Sequence, residues 1–265
     1  MTAETRNSSP AERLVIATLA QRPDLRGKVF EPEIQSAVPE FMRHDPAAGL
    51  YYGAGWLDRY LEYALVAVDP QEPDQPVARA FGVPFAFRDG RPEREELPAR
   101  GWDAVIRWGA EDQLAGCVPN AVSALEIMVA PRHHGRGISQ RMVAAMRDHV
   151  RRFGFADLYA PLRPTMKDKE PLTPFAEYAA RRRGDGLPWD PWVRVHVRAG
   201  ARIVKIAPAS LAVPGTIAEW SEWTGMNFAH SGDIVVPGAL VPVHVSREQD
   251  HAVYVEPNLW VHHRV

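Results

Sequence analysis

The sequence predicts an α/β (α+β) fold, in which helices flank a mixed sheet. Three observations predict it. Residues 64–68 and 77–87 are apolar runs joined by a proline-rich acidic turn, the pattern of an antiparallel hairpin. Residues 124–154 pass from strand periodicity through glycines into a helical stripe. Residues 156–162 then read as a further strand, which a helical crossover makes parallel to the one before it.

The 265 residues are enough for a sizeable core. A hydrophobic content of 46% and a charged content of 24% match a soluble globular protein. With a net charge of −2 there is no overall field for nucleic acid or an anionic membrane, and neither is expected as a partner. One cysteine, Cys117, excludes an internal disulfide and a cysteine-rich zinc site. The absence of an apolar run of membrane-span length or a signal-like start points to the cytoplasm.

In chain order, residues 1–12, with Asn7-Ser8-Ser9-Pro10, are expected to be a flexible tail, and 13–265 a single domain. A helix is expected over 11–21. Ile34, Val38 and Phe41 give 30–42 a helical pattern broken by Pro39, and a helix over 57–63 would lead into the first hairpin strand. Gly82 and Pro84 interrupt the second strand, 88–100 is a loop, and 102–114 a short helix.

In the central segment Leu125, Ile127 and Val129 alternate with Glu126 and Met128. Pro131 has no N–H to donate and stops the ladder. Gly135 and Gly137 permit a tight turn, and Ile138, Met142, Val143, Met146 and Val150 form the helical stripe. Such a turn aims backbone N–H groups at one point, where the helix dipole adds partial positive charge, so it suits a phosphate. Residues 132–152 carry six arginines against one acid, Asp148, which reinforces this.

Residues 163–190 are polar and proline-rich around a short helix at 175–183, and read as an ordered insertion or lid. A helix over 192–198 ends near Gly200, which fits a C-terminal cap, and a strand follows over 201–206. Residues 214–265 read as a C-terminal extension. They hold a helix over 216–225 and strands near 234–236, 240–245, 253–255 and 259–261.

Arg132-x-x-Gly135-x-Gly137, following Val129-Ala130-Pro131 and preceding a helix, resembles the acyl-CoA pyrophosphate loop of the GNAT superfamily of N-acetyltransferases. The dinucleotide and P-loop fingerprints are absent. The resemblance implies the GNAT fold, in which the two parallel strands splay and the pantetheine arm lies between them. It implies acetyl-CoA or another acyl-CoA as donor. Contacts would come from the backbone of Ile127, Met128 and Val129 and from the loop Arg132, His134, Gly135, Arg136, Gly137, Ile138 and Ser139. The N–H near Val129 would help polarise the thioester carbonyl.

The family often ends a later helix in Tyr-x-x-x-Gly-Phe, where the tyrosine protonates the departing CoA thiolate. His196 stands at the tyrosine's position here, and Ala201 follows Gly200. Histidine can exchange a proton near neutrality. Acyl transfer to an amine also needs a base, and Glu126 matches a strand glutamate that several GNAT enzymes use. No nucleophile motif is evident, so direct transfer is expected. His133 and His134 are adjacent with no third ligand at zinc spacing, so no metal is expected.

Arg163-Pro164-Thr165, Asp185-Gly186-Leu187-Pro188, Asp190-Pro191-Trp192, Arg194-Val195-His196 and Gly215-Thr216-Ile217-Ala218-Glu219-Trp220 resemble a narrower group. These are the GNAT-like domains of polyketide-synthase loading modules and their free-standing relatives. That group implies malonyl-type decarboxylation through a histidine and a threonine. His196 and Thr165 match, with Thr173 as a rival for the threonine. Three functions stay open on the sequence. One is an acyltransferase acting on a small-molecule amine. The second is a malonyl-CoA decarboxylase or S-acyltransferase serving a carrier-protein thiol, and the third a non-catalytic acyl-CoA-binding protein.

Overall fold

The structure is a computed structural model that describes residues 10–36 and 38–265. Most of the tail expected at the N-terminus lies outside the described residues. Its end does not behave as a tail: Pro10–Arg13 forms the single helical turn α1, with Ala11 buried. The helix expected over 11–21 is replaced by strand β1 (Val15–Thr18), which pairs antiparallel with β2 (Ala64–Asp69). Val15, Ile16 and Thr18 are β-branched, and long-range pairing overrides the local helical pattern.

Prolines break up the segment between. Among the described residues the α-helices there are α2 (Pro32–Gln35) and α3 (Gly49–Tyr52), with 3-10 turns at Pro23–Leu25, Lys28–Phe30, Glu40–His44 and Pro46–Ala48. The helix expected over 57–63 is two 3-10 turns, Leu57–Arg59 and Leu61–Tyr63, too short to repay α-helix nucleation.

The hairpin forms between β2 and β3 (Glu72–Phe85), with Gln71 N–H bonded to Asp69 Oδ1 at the turn. β3 is continuous through Gly82, which marks a register shift. Helix α4 (Gly101–Ala115) packs on one face of the sheet and ends at Gly116 with φ +66°. Strand β4 (Ala121–Val129) lies antiparallel to β3, and α5 (Ile138–Arg152) crosses over to β5 (Asp157–Leu162).

The insertion contributes α6 (Phe175–Ala180), followed by α7 (Pro191–Arg198) and β6 (Arg202–Gly215). After α8 (Ile217–Thr224), β7 (Gly232–Ile234) and β8 (Val243–Ser246) comes β9 (His251–Arg264). Among the described residues these strands form one nine-stranded sheet in the order β1-β2-β3-β4-β5-β9-β8-β7, with β6 on the other edge of β9.

The extension expected from residue 214 is therefore no appendage. β9 lies inside the sheet, with β5 and β8 end to end along one edge and β6 along the other. The two short strands expected at 253–255 and 259–261 are one. Pro257 falls between the stretches paired to β8 and β5, and inside a register break with β6, where no ladder N–H is required.

Three cores hold the layers. On one face α3 and α4 bring Tyr51, Val105 and Ile106 against Phe81, Phe85 and Trp260. On the other, α5 presents Met142, Met146 and Val150, and α7 Val193, to Ala78, Leu158 and Val261. A third joins Phe41, Trp220 and Phe228 to Tyr254. Full burial of each large apolar side chain is worth about 1.5–3 kcal/mol. Among the described residues no helix is long and apolar enough to cross a membrane.

The insertion is tied down by Lys167, which is fully buried. Its ammonium donates to the carbonyls of Glu170 at 2.6 Å, Leu240 at 2.7 Å and Pro171 at 3.3 Å, and sits over the Tyr178 ring. Lys167→Met keeps the volume and orphans the buried carbonyls. We expect a loss of about 2–4 kcal/mol in unfolding free energy by urea titration.

Candidate active site

Parallel pairing between β4 and β5 covers only Val122 with Leu158 and Ser123 with Tyr159. Beyond those pairs the strands separate. At the same place β4 bulges. Phe81 faces Glu126 and Gly82 faces Ala124, which leaves Leu125 without a partner on β3. The Leu125 carbonyl accepts the Trp102 indole N–H at 3.2 Å. From Ala124 onward the β5-facing edge of β4 is open.

A cavity of about 800 Å³ occupies the gap. Ala124 to Val129 and Ala160 to Leu162 line its two sides, and the turn residues His134, Gly135, Gly137, Ile138 and Ser139 line one end. Gly135 and Gly137 have φ of +74° and +76°, where a side chain would be strained, so the glycine spacing is a backbone requirement. Gly137 caps α5, whose first N–H groups open toward the turn. A ring nitrogen of His134 bonds the Val129 carbonyl at 2.8 Å, so Nε2 carries the proton and the turn is pinned to the strand.

Arg132 and Arg136 are absent from the cavity lining. Arg132 is ion-paired with Glu33, and both arginines bond His133, whose pKa is lowered by burial and by Arg132 and Arg136.

Glu126, Thr165 and His196 come from three separate segments and all line this cavity. Thr173, the rival threonine, does not. Glu126 lies beside Arg79 on β3, with Nε 2.6 Å from Oε1. Arg79 is nearly fully buried, bonds the Val29 carbonyl, and packs over the Phe30 and Phe81 rings. The Tyr52 hydroxyl adjoins the same carboxylate. Burial first, and then the charge of Glu126, push it well above the usual phenol range.

Thr165 and His196 share one organiser, Asp190. Its Oδ1 accepts from the N–H groups of Trp192 at 2.9 Å and Val193 at 3.1 Å, capping α7 behind Pro191. Its Oδ2 accepts from the Tyr178 hydroxyl at 2.9 Å and from the N–H of Met166, next to Thr165, at 3.0 Å. On the following turn the His196 ring stands edge-on to Trp192 and 2.9 Å from His263 of β9, Nδ1 to Nε2. Burial pushes His196 down to about 3 and His263 to about 4, so both rings are neutral at physiological pH.

Sequence reasoning missed the polar side chains that surround the candidates. Arg79 stood as a lone charge in an apolar strand, a signal that was available. On β9, Glu256 accepts from Arg163 at 2.9 Å, Tyr254 at 2.8 Å and Asn258 at 2.9 Å. Asp45 lines the cavity wall and faces Asp103, which burial and the Asp45 charge push up to about 8.

A protein described as the arginine N-acetyltransferase avaD of Aspergillus versicolor is 31% identical over 276 residues, spanning 94% of this chain and 93% of its own length. This chain belongs to the GNAT superfamily of N-acetyltransferases. As a GNAT enzyme it is an acyl-CoA-dependent acyltransferase. No family model matches the chain. Among solved structures, the loading GNATL domain of CurA from Lyngbya majuscula matches with a TM-score of 0.57 at 15% identity. The match covers 95% of this chain and 96% of that domain, and shows a shared GNAT fold.

Two outcomes test the site as built. Asp190→Ala removes the cap of α7 and releases Met166. It should lower stability by about 2 kcal/mol in chemical denaturation and reduce kcat by more than that loss accounts for. The second concerns acid. The unfolded chain protonates His196 and His263 near pH 6.5, whereas the folded chain does so only near the lowered values. Unfolded protein thus binds more protons between those limits, and the contribution of the pair is lost as pH falls below about 6.5. Each histidine adds a slope of about 1.4 kcal/mol per pH unit. Denaturation between pH 7 and 5 should show a shallower decline in the His196→Asn/His263→Gln double variant than in wild type.

Proposed function

We propose that this chain transfers the acetyl group of acetyl-CoA to an amine of the arginine class. In this reading Glu126 takes the acceptor's proton and His196 acts as hydrogen-bond donor to the departing thiolate. The observation that carries it is the convergence of Glu126, Thr165 and His196 on one cavity that ends at the glycine turn. The donor's pyrophosphate would sit on the N–H groups of Gly135 to Ser139 at the start of α5. Its pantetheine arm would follow the open edge of β4 along Ile127 to Val129, and an N–H of that edge would polarise the thioester carbonyl.

Transfer then runs without an acyl-enzyme. The amine attacks the carbonyl carbon, the C–N bond forms, and the C–S bond breaks. Arg79 fixes the Glu126 carboxylate through Oε1, leaving Oε2 to receive the acceptor's proton directly or through water. The acceptor class rests on the named activity of the relative and on the mixed charges of the cavity wall. Asp45, Glu126 and Glu256 stand there with Arg43, Arg79 and Arg163, so the carboxylate and the amines of such an acceptor each find opposite charges on the wall.

Thr165 and His196 in the same cavity favour a second reading. With a malonyl thioester they would bind the carboxylate and then the enolate oxygen as the C–C bond breaks and CO2 leaves, after which the enolate carbon takes a proton.

Purified protein with acetyl-CoA or malonyl-CoA, each with and without L-arginine, tests both by mass spectrometry. Acetylarginine formed with release of CoA supports the first reading. Acetyl-CoA formed from malonyl-CoA without amine supports the second, and neither product sinks both. In the first case Glu126→Gln should lower kcat by about 10²-fold, with a smaller effect on the KM for acetyl-CoA.

A further inference from the structure

We propose that His263 is a positioning residue that sets the tautomer of His196, so that His196 presents an N–H, not a lone pair, to the cavity. This rests on the proposed role of His196 and specifies what kind of group it is. His196 and His263 are buried to 3% and 1% exposure and meet at 2.9 Å through Nδ1 and Nε2. Each pair of neutral rings shares one proton across that contact. Either His196 donates from Nδ1 and leaves Nε2 as an acceptor, or His263 donates from Nε2 and leaves His196 protonated on Nε2. The outer nitrogens, Nε2 of His196 and Nδ1 of His263, have no partner in the protein.

The surroundings choose between the two. From α5, Arg147 acts on His263 with positive charge. Arg147 is held by the carbonyls of Ala199 at 2.7 Å and Arg264 at 3.3 Å, and its buried Nε–H has no acceptor. A guanidinium is always positive, so its field favours a lone pair over an N–H on the one ring nitrogen of His263 that has no partner, Nδ1. The other charged groups nearby are already engaged. His262, next on β9, bonds Asp157 of β5 at 2.7 Å, and Arg264 bonds the same carboxylate. No carboxylate among the described residues bonds His263. The field therefore places the His263 proton on Nε2, which donates to His196 Nδ1 and leaves the His196 proton on Nε2, the nitrogen left for the cavity.

The pair then relays no net proton. His196 keeps its Nε2–H and stabilises negative charge that develops on sulfur or oxygen, as a neutral donor fixed in place. Its ring cannot turn to offer a lone pair without breaking the bond to His263 and the packing on Trp192.

Long-range 1H–15N correlation of 15N-histidine-labelled protein reads this in the resting state. Signals among the ten histidines are assigned with His196→Asn and His263→Gln. We expect both rings as Nε2–H tautomers from about pH 5 to about pH 8. A proton on His196 Nδ1 overturns the proposal. Turnover gives the second arm. His263→Phe should lower kcat by about 10²-fold while acetyl-CoA affinity holds, and His263→Gln, which supplies an amide N–H, should recover much of it. Unchanged kcat in a folded His263→Phe protein overturns the positioning role. Unchanged kcat in His196→Ala instead removes the catalytic reading of His196, and the spectrum still decides the tautomer.

Discussion

The parting of β4 and β5 after two residue pairs is the constraint on which the rest depends. A strand edge inside a protein cannot leave its N–H and C=O groups bare. Past Ser123 the edge of β4 has lost its parallel neighbour, and the bulge at Leu125 turns the strand as it does so. A flexible arm with its own amide groups satisfies such an edge as another strand would. The glycine turn at the strand's end then meets whatever charge that arm carries. In the proposed reading, recognition of the donor follows from unfinished backbone pairing more than from side chains, and Arg132 and Arg136 are not among the residues that line the cavity.

The reactive end is built differently. Its polar groups are held by others, at least one of each pair being buried: Arg79 with Glu126, Glu256 with Arg163, His263 with His196. Burial of ionic groups is costly unless they are paired and hydrogen-bonded. What these pairs supply is fixed orientation, because a side chain locked by a second one does not have to reorganise as charge develops. Asp190 extends this to the backbone by setting both the start of α7 and the segment that carries Thr165.

The strand–turn–helix of 124–154 was legible because its periodicity changes at two glycines, and local geometry there leaves few choices. The site candidates were legible where a residue sat at a motif position, as Glu126 and His196 do. The first strand was not, since Val15 to Thr18 owe their state to β2, almost fifty residues on. Nor was the course of β9. Pro257 reads locally as a break, and only the gap in pairing around it shows that the strand runs through. Arg79 and His263 illustrate a third limit. Their partners lie 47 and 67 residues away along the chain, a separation that no spacing rule covers.

The place of β9 also has a consequence for how the molecule is made. This last strand carries Glu256, Asn258 and His263, and pairs with β5, β6 and β8. The ladder with β5 closes a loop of nearly a hundred residues, a non-local step that slows folding. During synthesis the earlier strands and α5 emerge first, with the edge of β5 still unpaired and open to other chains. The glycine turn can thus form on a nascent chain while the β9 side of the cavity wall is still missing, and a donor bound at that turn, as proposed, would reach the chain before it is able to act on it.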